Sequence, residues 1–254
     1  MYNLPMLHIQ TLGAFRVRMD GREIPPTAWS REKALHLLQL LVTLRRQQPH
    51  KEQIIELLWP HLDADAGDRD FRVALNALQN ALEPERPPRA ASRYIVRSEL
   101  NYSLNPAETQ VDADEFDAAL AAAHAEPAAA DAHYRRAAAL YAGDYLPERR
   151  YEDWTAAERE RLRTLALGAL TRLAGRLLPA DPLEAVRLAR RALELDPLWE
   201  NAYRIEMQAH LASGNRPLAV RAYEQCARLL REEYGLEPLP ETRQLYQGIL
   251  RGER

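Results

Sequence analysis

The clearest pattern in the chain is DRDFRVALNALQNALE at residues 68–83. At about 100° per residue, Phe71, Ala74, Leu75, Leu78, Ala81 and Leu82 share one side of a helix. Arg69, Arg72, Val73, Asn76, Gln79 and Asn80 share the other. The first stripe is a core face. The second consists mostly of long or amide-bearing side chains, the kinds that hold phosphates and pair with base edges. Such a helix either enters a DNA groove or shows a solvated face on a helical scaffold.

The elements around it point to the groove. Upstream, Leu7, Ile9 and Thr11 alternate with polar residues, Gly13 breaks the run, and Phe15, Val17 and Met19 alternate with Arg16 and Arg18. Asp20 and Gly21 signal a hairpin turn, and Arg22, Glu23 and Ile24 a short third strand. Ser30 stands where it can cap a helix over 31–46, with Ala34, Leu35, Leu38, Leu41 and Val42 at helical spacing. A second helix over 51–59 ends at Pro60, and the loop HLDADAG follows. Pro84, Pro87 and Pro88 stop the helix 68–83, and segments 93–96 and 101–104 read as two strands. Strands, three helices and a terminal hairpin are the order of a winged helix-turn-helix with an extra sheet in front.

After Asn105 the pattern is helical, over 114–124, 128–141, 152–177, 182–195, 199–212, 216–233 and 240–250, punctuated by Gly143, Pro179, Gly214 and Gly235. Ala185 and Ala219 lie 34 residues apart, as do Ala189 and Tyr223, Ala192 and Cys226, and Leu195 and Leu229. That is the tetratricopeptide period, in which helix pairs bury their apolar faces by stacking. The expected fold is therefore mainly α: an α+β winged-helix domain over 1–105, then an all-α repeat domain over 106–254.

Composition adds limits. Apolar residues make up 46% of the chain, enough for a core, and a low count of 10 Gly with a very high Ala and Leu content favours helix over sheet. Cys226 is the one cysteine, so no internal disulfide forms, which fits a reducing cytosol. No apolar run approaches a membrane span, and the first residues lack the charged and apolar regions of a secretion signal. The expected location is cytoplasmic, with no membrane partner. Residues 1–105 carry 14 Lys and Arg against 12 Asp and Glu, and residues 106–254 carry 20 against 25. DNA affinity must then come from local arrangement, not from a strong overall field.

Catalytic patterns are missing. There is no G-x-x-x-x-G-K-[ST], no G-x-S-x-G and no H-E-x-x-H. Asp63, Asp65, Asp68 and Asp70 resemble a cation loop, but an EF-hand starting at Asp63 would need Glu where Ala74 stands. Capping of the helix by Asp65 or Asp68 is the better reading. The expectation is a non-enzyme without cofactor or metal.

These segments carry a family resemblance. Residues 7–105, through LGAFRVRMDGREI, the helix after Ser30, IIELLWP and FRVALNALQNAL, resemble the OmpR-like winged-helix domain of the Streptomyces antibiotic regulatory protein (SARP) family. Residues 111–251 look like the bacterial transcriptional activator domain that follows it there. The segments are VDADEFDAAL, LYAGDYLPERRYEDWTAAERERL, the repeat region from Ala189 and EEYGLEPLPET. The resemblance implies sequence-specific binding to double-stranded DNA and recruitment of RNA polymerase. It implies protomers side by side on direct repeats, or a homodimer. It also implies that the loop around His61, Asp63 and Asp65 faces polymerase. The chain departs from the family at Gln79 and Asn80, where members often carry Arg, and at a wing tip of Ser98, Glu99, Leu100 and Asn101 that is poor in glycine.

The resulting DNA-binding set is Arg69, Arg72, Asn76, Gln79 and Asn80 on the helix, Arg93 and Arg97 flanking the wing, and Arg31 and Lys33 in the first turn of the first long helix. Glu83, at the far end of the stripe, would repel phosphate, so the deep contacts are expected from the first and middle turns. Each has a plainer alternative: a solvated face, surface ion pairs, or ordinary first-turn lysine and arginine. Trp154 and Arg159 belong to the segment that joins the early helices to the repeats. Trp199, Tyr203, Tyr223 and Tyr234 could line a concave repeat face or pack between helices. Two other readings stay open: a helical-repeat adaptor with a degenerate winged helix, and a sensor whose repeat domain binds a small-molecule effector.

Overall fold

The computed structural model describes residues 6–252. The other residues include the start of the segment read above for a secretion signal, which lies outside the described residues. By contact, the chain forms two compact units. One holds the chain up to Glu115 together with Ala142–Glu160; the other holds Phe116–Tyr141 and the chain from Arg161. The first unit thus takes in more than the winged-helix segment ending at 105.

In the first unit, β1 (Leu7–Gln10), β2 (Arg16–Met19) and β3 (Arg22–Glu23) form an antiparallel ribbon, with Leu7 opposite Met19. Asp20 and Gly21 both take positive φ, the requirement of the tight turn that their sequence signals. A strand that the pattern does not predict, β6 (Thr109–Val111), pairs parallel with β1 and completes the sheet in the order β3-β2-β1-β6. Three residues are too short to show a period; β6 exists because β1 offers it an edge.

Helix α1 (Glu32–Thr43) is shorter than 31–46 and is not one-faced. Ala34, Leu37, Leu38, Leu40, Leu41 and Val42 are all fully buried, and His36 and Gln39 are buried with them. It is the central helix of the unit. Arg31, not Ser30, occupies its cap position and makes no side-chain cap bond. Helix α2 (Lys51–Leu58) is capped by His50, whose Nδ1 accepts from Glu52 N. Helix α3 (Ala64–Leu82) starts one turn earlier than 68. Asp63 caps it, accepting from Ala66 N at 2.8 Å, in place of the expected Asp65 or Asp68. Most of the expected loop 61–67 is therefore helix. Gly67 permits this: a Cβ there would stand 2.5 Å from Ile55 Cγ2 of α2. The wing is β4 (Ile95–Ser98) and β5 (Asn101–Leu104), turning at Glu99 with φ 57°.

Two longer links close the unit. Asp112 accepts from Thr11 N at 2.8 Å, Thr11 Oγ1 at 2.6 Å and Leu12 N at 2.9 Å. Tyr145 and Leu146, from the returning segment, are fully buried; Tyr145 Oη bonds Thr43 Oγ1 at 2.9 Å, and Leu146 N donates to Thr11 O. Arg159 holds this segment's shape, donating to the carbonyls of Tyr145, Arg149 and Arg150. Trp154 Nε1 donates to Glu152.

The remaining helices are α4 (Asp112–Ala125), α5 (Ala130–Leu140), α6 (Asp153–Leu177), α7 (Pro182–Leu195), α8 (Glu200–Ala212), α9 (Arg216–Tyr234) and α10 (Pro240–Arg251). The 34-residue period reaches the caps: Asp181 accepts from Glu184 N, and Asn215 from Leu218 N. Ala185 and Ala219, and Ala192 and Cys226, are buried at matching positions. Burial pushes the Cys226 thiol up to about 12. Tyr203 is buried in this core, Tyr223 stacks on Tyr246 at 3.8 Å, and Tyr234 is exposed. Among the described residues, no helix is long and apolar enough to cross a membrane.

Candidate nucleic-acid interface

Helix α3 buries Phe71, Ala74, Ala77, Leu78, Ala81 and Leu82, and so turns Arg69, Arg72, Val73, Asn76 and Asn80 to the surface. The wing stands beside it. Lys51 N donates to Leu100 O at 2.8 Å and Tyr102 N to Pro49 O at 3.0 Å, which ties β5 to the start of α2. Phe71 of α3 meets Tyr102 of the wing edge-on, with centroids 5.0 Å apart. Between helix and wing lies an open cleft of about 380 Å³, with Lys51, Arg72, Asn76, Gln79 and Arg97 among its lining.

Charge in the cleft is organised around Asp68. Its carboxylate accepts from Lys51 Nζ at 2.6 Å and pairs with Arg72 one turn on. The Lys51 hydrogen bond, helped by the Arg72 guanidinium, holds the Asp68 carboxyl below its usual range. One carboxylate thus orients two cations on the cleft wall. Lys51 has no part in the expected set. Its sequence signal was only a basic residue opening a helix, and its place beside α3 depends on how the helices cross.

The other expected residues divide. Arg69, Asn76 and Asn80 are exposed and have no side-chain partner among the described residues. Gln79 is half-buried and its Oε1 accepts from Arg86 at 3.1 Å. Arg93 pairs with Glu108, and its backbone N–H donates to Glu83. Arg97 donates to Glu99 O at 2.7 Å with its guanidinium 5.8 Å from the Tyr102 ring. Lys33 donates to Leu58 O at 2.7 Å and lies over the Trp59 ring, while Arg31 is exposed. Glu83 is not a loose charge at the end of the stripe. It accepts from Ser92 Oγ and Arg93 N and anchors the approach to the wing. His61 is exposed before α3, Asp63 is its cap, and Asp65 is exposed in its first turn. Among the described residues, no cluster of His, Cys, Asp or Glu could hold a metal ion.

A three-helix core with a C-terminal β-hairpin is the build of a winged helix-turn-helix, and stacked helix pairs follow it in the chain. The family described as the bacterial transcriptional activator domain matches residues 111–250, and the chain belongs to that family. Among solved structures, it is similar to Mycobacterium tuberculosis EmbR in complex with a low-affinity phosphopeptide, at a TM-score of 0.82 and 21% identity. The match covers 98% of this chain and 66% of that one; at this identity it is a likeness of fold. This chain therefore spans just under two thirds of that relative's length. No curated protein matches the sequence.

Proposed function

We propose that this protein is a sequence-specific DNA-binding activator that recruits RNA polymerase. In this reading α3 enters the major groove, the wing lies along the backbone, and the protein acts by placing polymerase contacts at a promoter, without chemistry of its own. The observation that carries the reading is the exposed face of α3, where Arg69, Asn76 and Asn80 stand unpartnered beside the Lys51–Asp68–Arg72 node and the wing. Amides pair bidentately with adenine and arginine with guanine. His61, Asp63 and Asp65 lie at the N-terminal end of α3, where they would face polymerase, and side-by-side protomers would occupy direct repeats.

The test is selection of bound fragments from genomic DNA by the purified protein, followed by binding across a salt series. A recovered motif with repeated half-sites, bound less tightly as salt rises, is the expected result. Failure to enrich any motif, or salt-insensitive binding, overturns the reading and favours the adaptor.

A second reading, an effector bound by the helical unit, is favoured by a groove of about 880 Å³ lined by Leu178, Leu211, Leu245 and Ile249. A thermal shift against a metabolite panel tests it; no shift with any member overturns it.

A further inference from the structure

Val73 is the apolar residue in the middle of an otherwise polar reading face. It is 41% exposed on α3. It follows Arg69 by four residues and precedes Asn80 by seven, so at 100° per residue all three lie within about 40° of one another. Along the helix axis it sits about 6 Å from Arg69 and about 10 Å from Asn80. Valine is a poorer helix former than alanine, lysine or glutamate, and a merely solvated face would gain nothing from it. A single exposed apolar residue is common on any surface. Here the distribution is not scattered. The large apolar side chains left exposed in the first unit, among the described residues, are Leu62, Val73, Val96, Leu100 and Tyr151. All but Tyr151 lie on α3, the turn before it, or the wing.

The major groove displays one apolar group, the 5-methyl of thymine. We propose that Val73 packs against a thymine methyl and makes α3 select thymine at one position of the half-site. The proposal rests on the DNA-binding reading above. Its neighbours fit it: Asn76, one turn on, is suited to adenine, so an A·T-containing core contacted by both side chains matches the chemistry of this face. The contact needs no hydrogen bond, which distinguishes it from the arginine and amide contacts of the same helix.

The experiment uses the full chain and a site recovered by genomic selection. Each thymine of one half-site is replaced in turn by deoxyuridine, which removes only the methyl group, and affinity is measured by fluorescence anisotropy. At one position the wild type should bind the uracil site about fourfold more weakly, the factor that burying one methyl group supplies. Val73→Ala should lose a similar factor on the thymine site and no longer distinguish uracil from thymine. Val73→Thr, which keeps a methyl, should retain the distinction. Circular dichroism of both variants checks the fold. If the wild type binds its site but no thymine shows this Val73-dependent loss, the contact is overturned while the DNA-binding reading stands. If no site is selected at all, both fall.

Discussion

Asn76 and Arg72 stand on the same face of α3 in different states. Asn76 is exposed and unpartnered, whereas Arg72 is held by Asp68. Asn76→Ala should cost about 1–3 kcal/mol on the specific site and leave binding to random duplex nearly unchanged. Arg72→Ala should cost a similar amount, about 1–3 kcal/mol, on the specific site. Competition binding against a scrambled duplex separates the two readouts. If both variants bind the site like the wild type, α3 is not the reading helix. His36 gives a residue-scale test of the core. Burial, with Arg149 nearby, lowers its pKa below the ordinary histidine value. A buried neutral histidine binds fewer protons than the unfolded chain just below pH 6.5, so stability is full above that value and falls as pH drops toward the folded pKa. Between about pH 7.5 and about pH 5.5 the urea midpoint should decline, and less so in His36→Gln. An equal decline in both proteins would assign the loss to other groups.

At the scale of elements, the crossing of α2 and α3 is set by Gly67. A Cβ at this position meets Ile55 Cγ2 at 2.5 Å, and a β-branched methyl has no room to swing away. Gly67→Ala should therefore destabilise by about 1–3 kcal/mol and weaken DNA binding through displacement of α3, although residue 67 is not in the proposed contact set. Adding Ile55→Ala removes the clashing methyl and should recover binding more than stability. Chemical denaturation and anisotropy on the same variants check this. Had the double variant bound no better than Gly67→Ala, the crossing would not be what positions the helix. The pattern gave the core face of α3 well, since an amphipathic period survives in any context. It missed the first turn of the helix, because Asp63 as cap and Gly67 at the crossing are meaningful only once α2 is beside them.

At the scale of the whole molecule, the first unit is not one stretch of chain. β6 and Ala142–Glu160 belong to it, and Tyr145 and Leu146 are fully buried there. A fragment ending at residue 105 lacks that strand, the Asp112 carboxylate and both buried side chains. It should show no cooperative unfolding and rapid proteolysis, while the full chain resists. A fragment that folded cooperatively would mean that the returning segment is dispensable.

Apolar spacing along the chain is enough to read the order of the helices, the 34-residue period and the two-faced character of α3. All of these are local regularities of apolar spacing, which every neighbour must respect. Packing alone settles which of the polar candidates are free. Arg93, Gln79 and Glu83 are committed to partners from 7 to 15 residues away, Lys51 joins Asp68 across 17, and Asp112 reaches back about a hundred to Thr11 and Leu12. A side chain's availability depends on which opposite charge or carbonyl the fold brings within 3 Å, and periodicity carries no record of that. Sequence thus identified the face; packing left Arg69, Val73, Asn76 and Asn80 as the part of it still open to a partner.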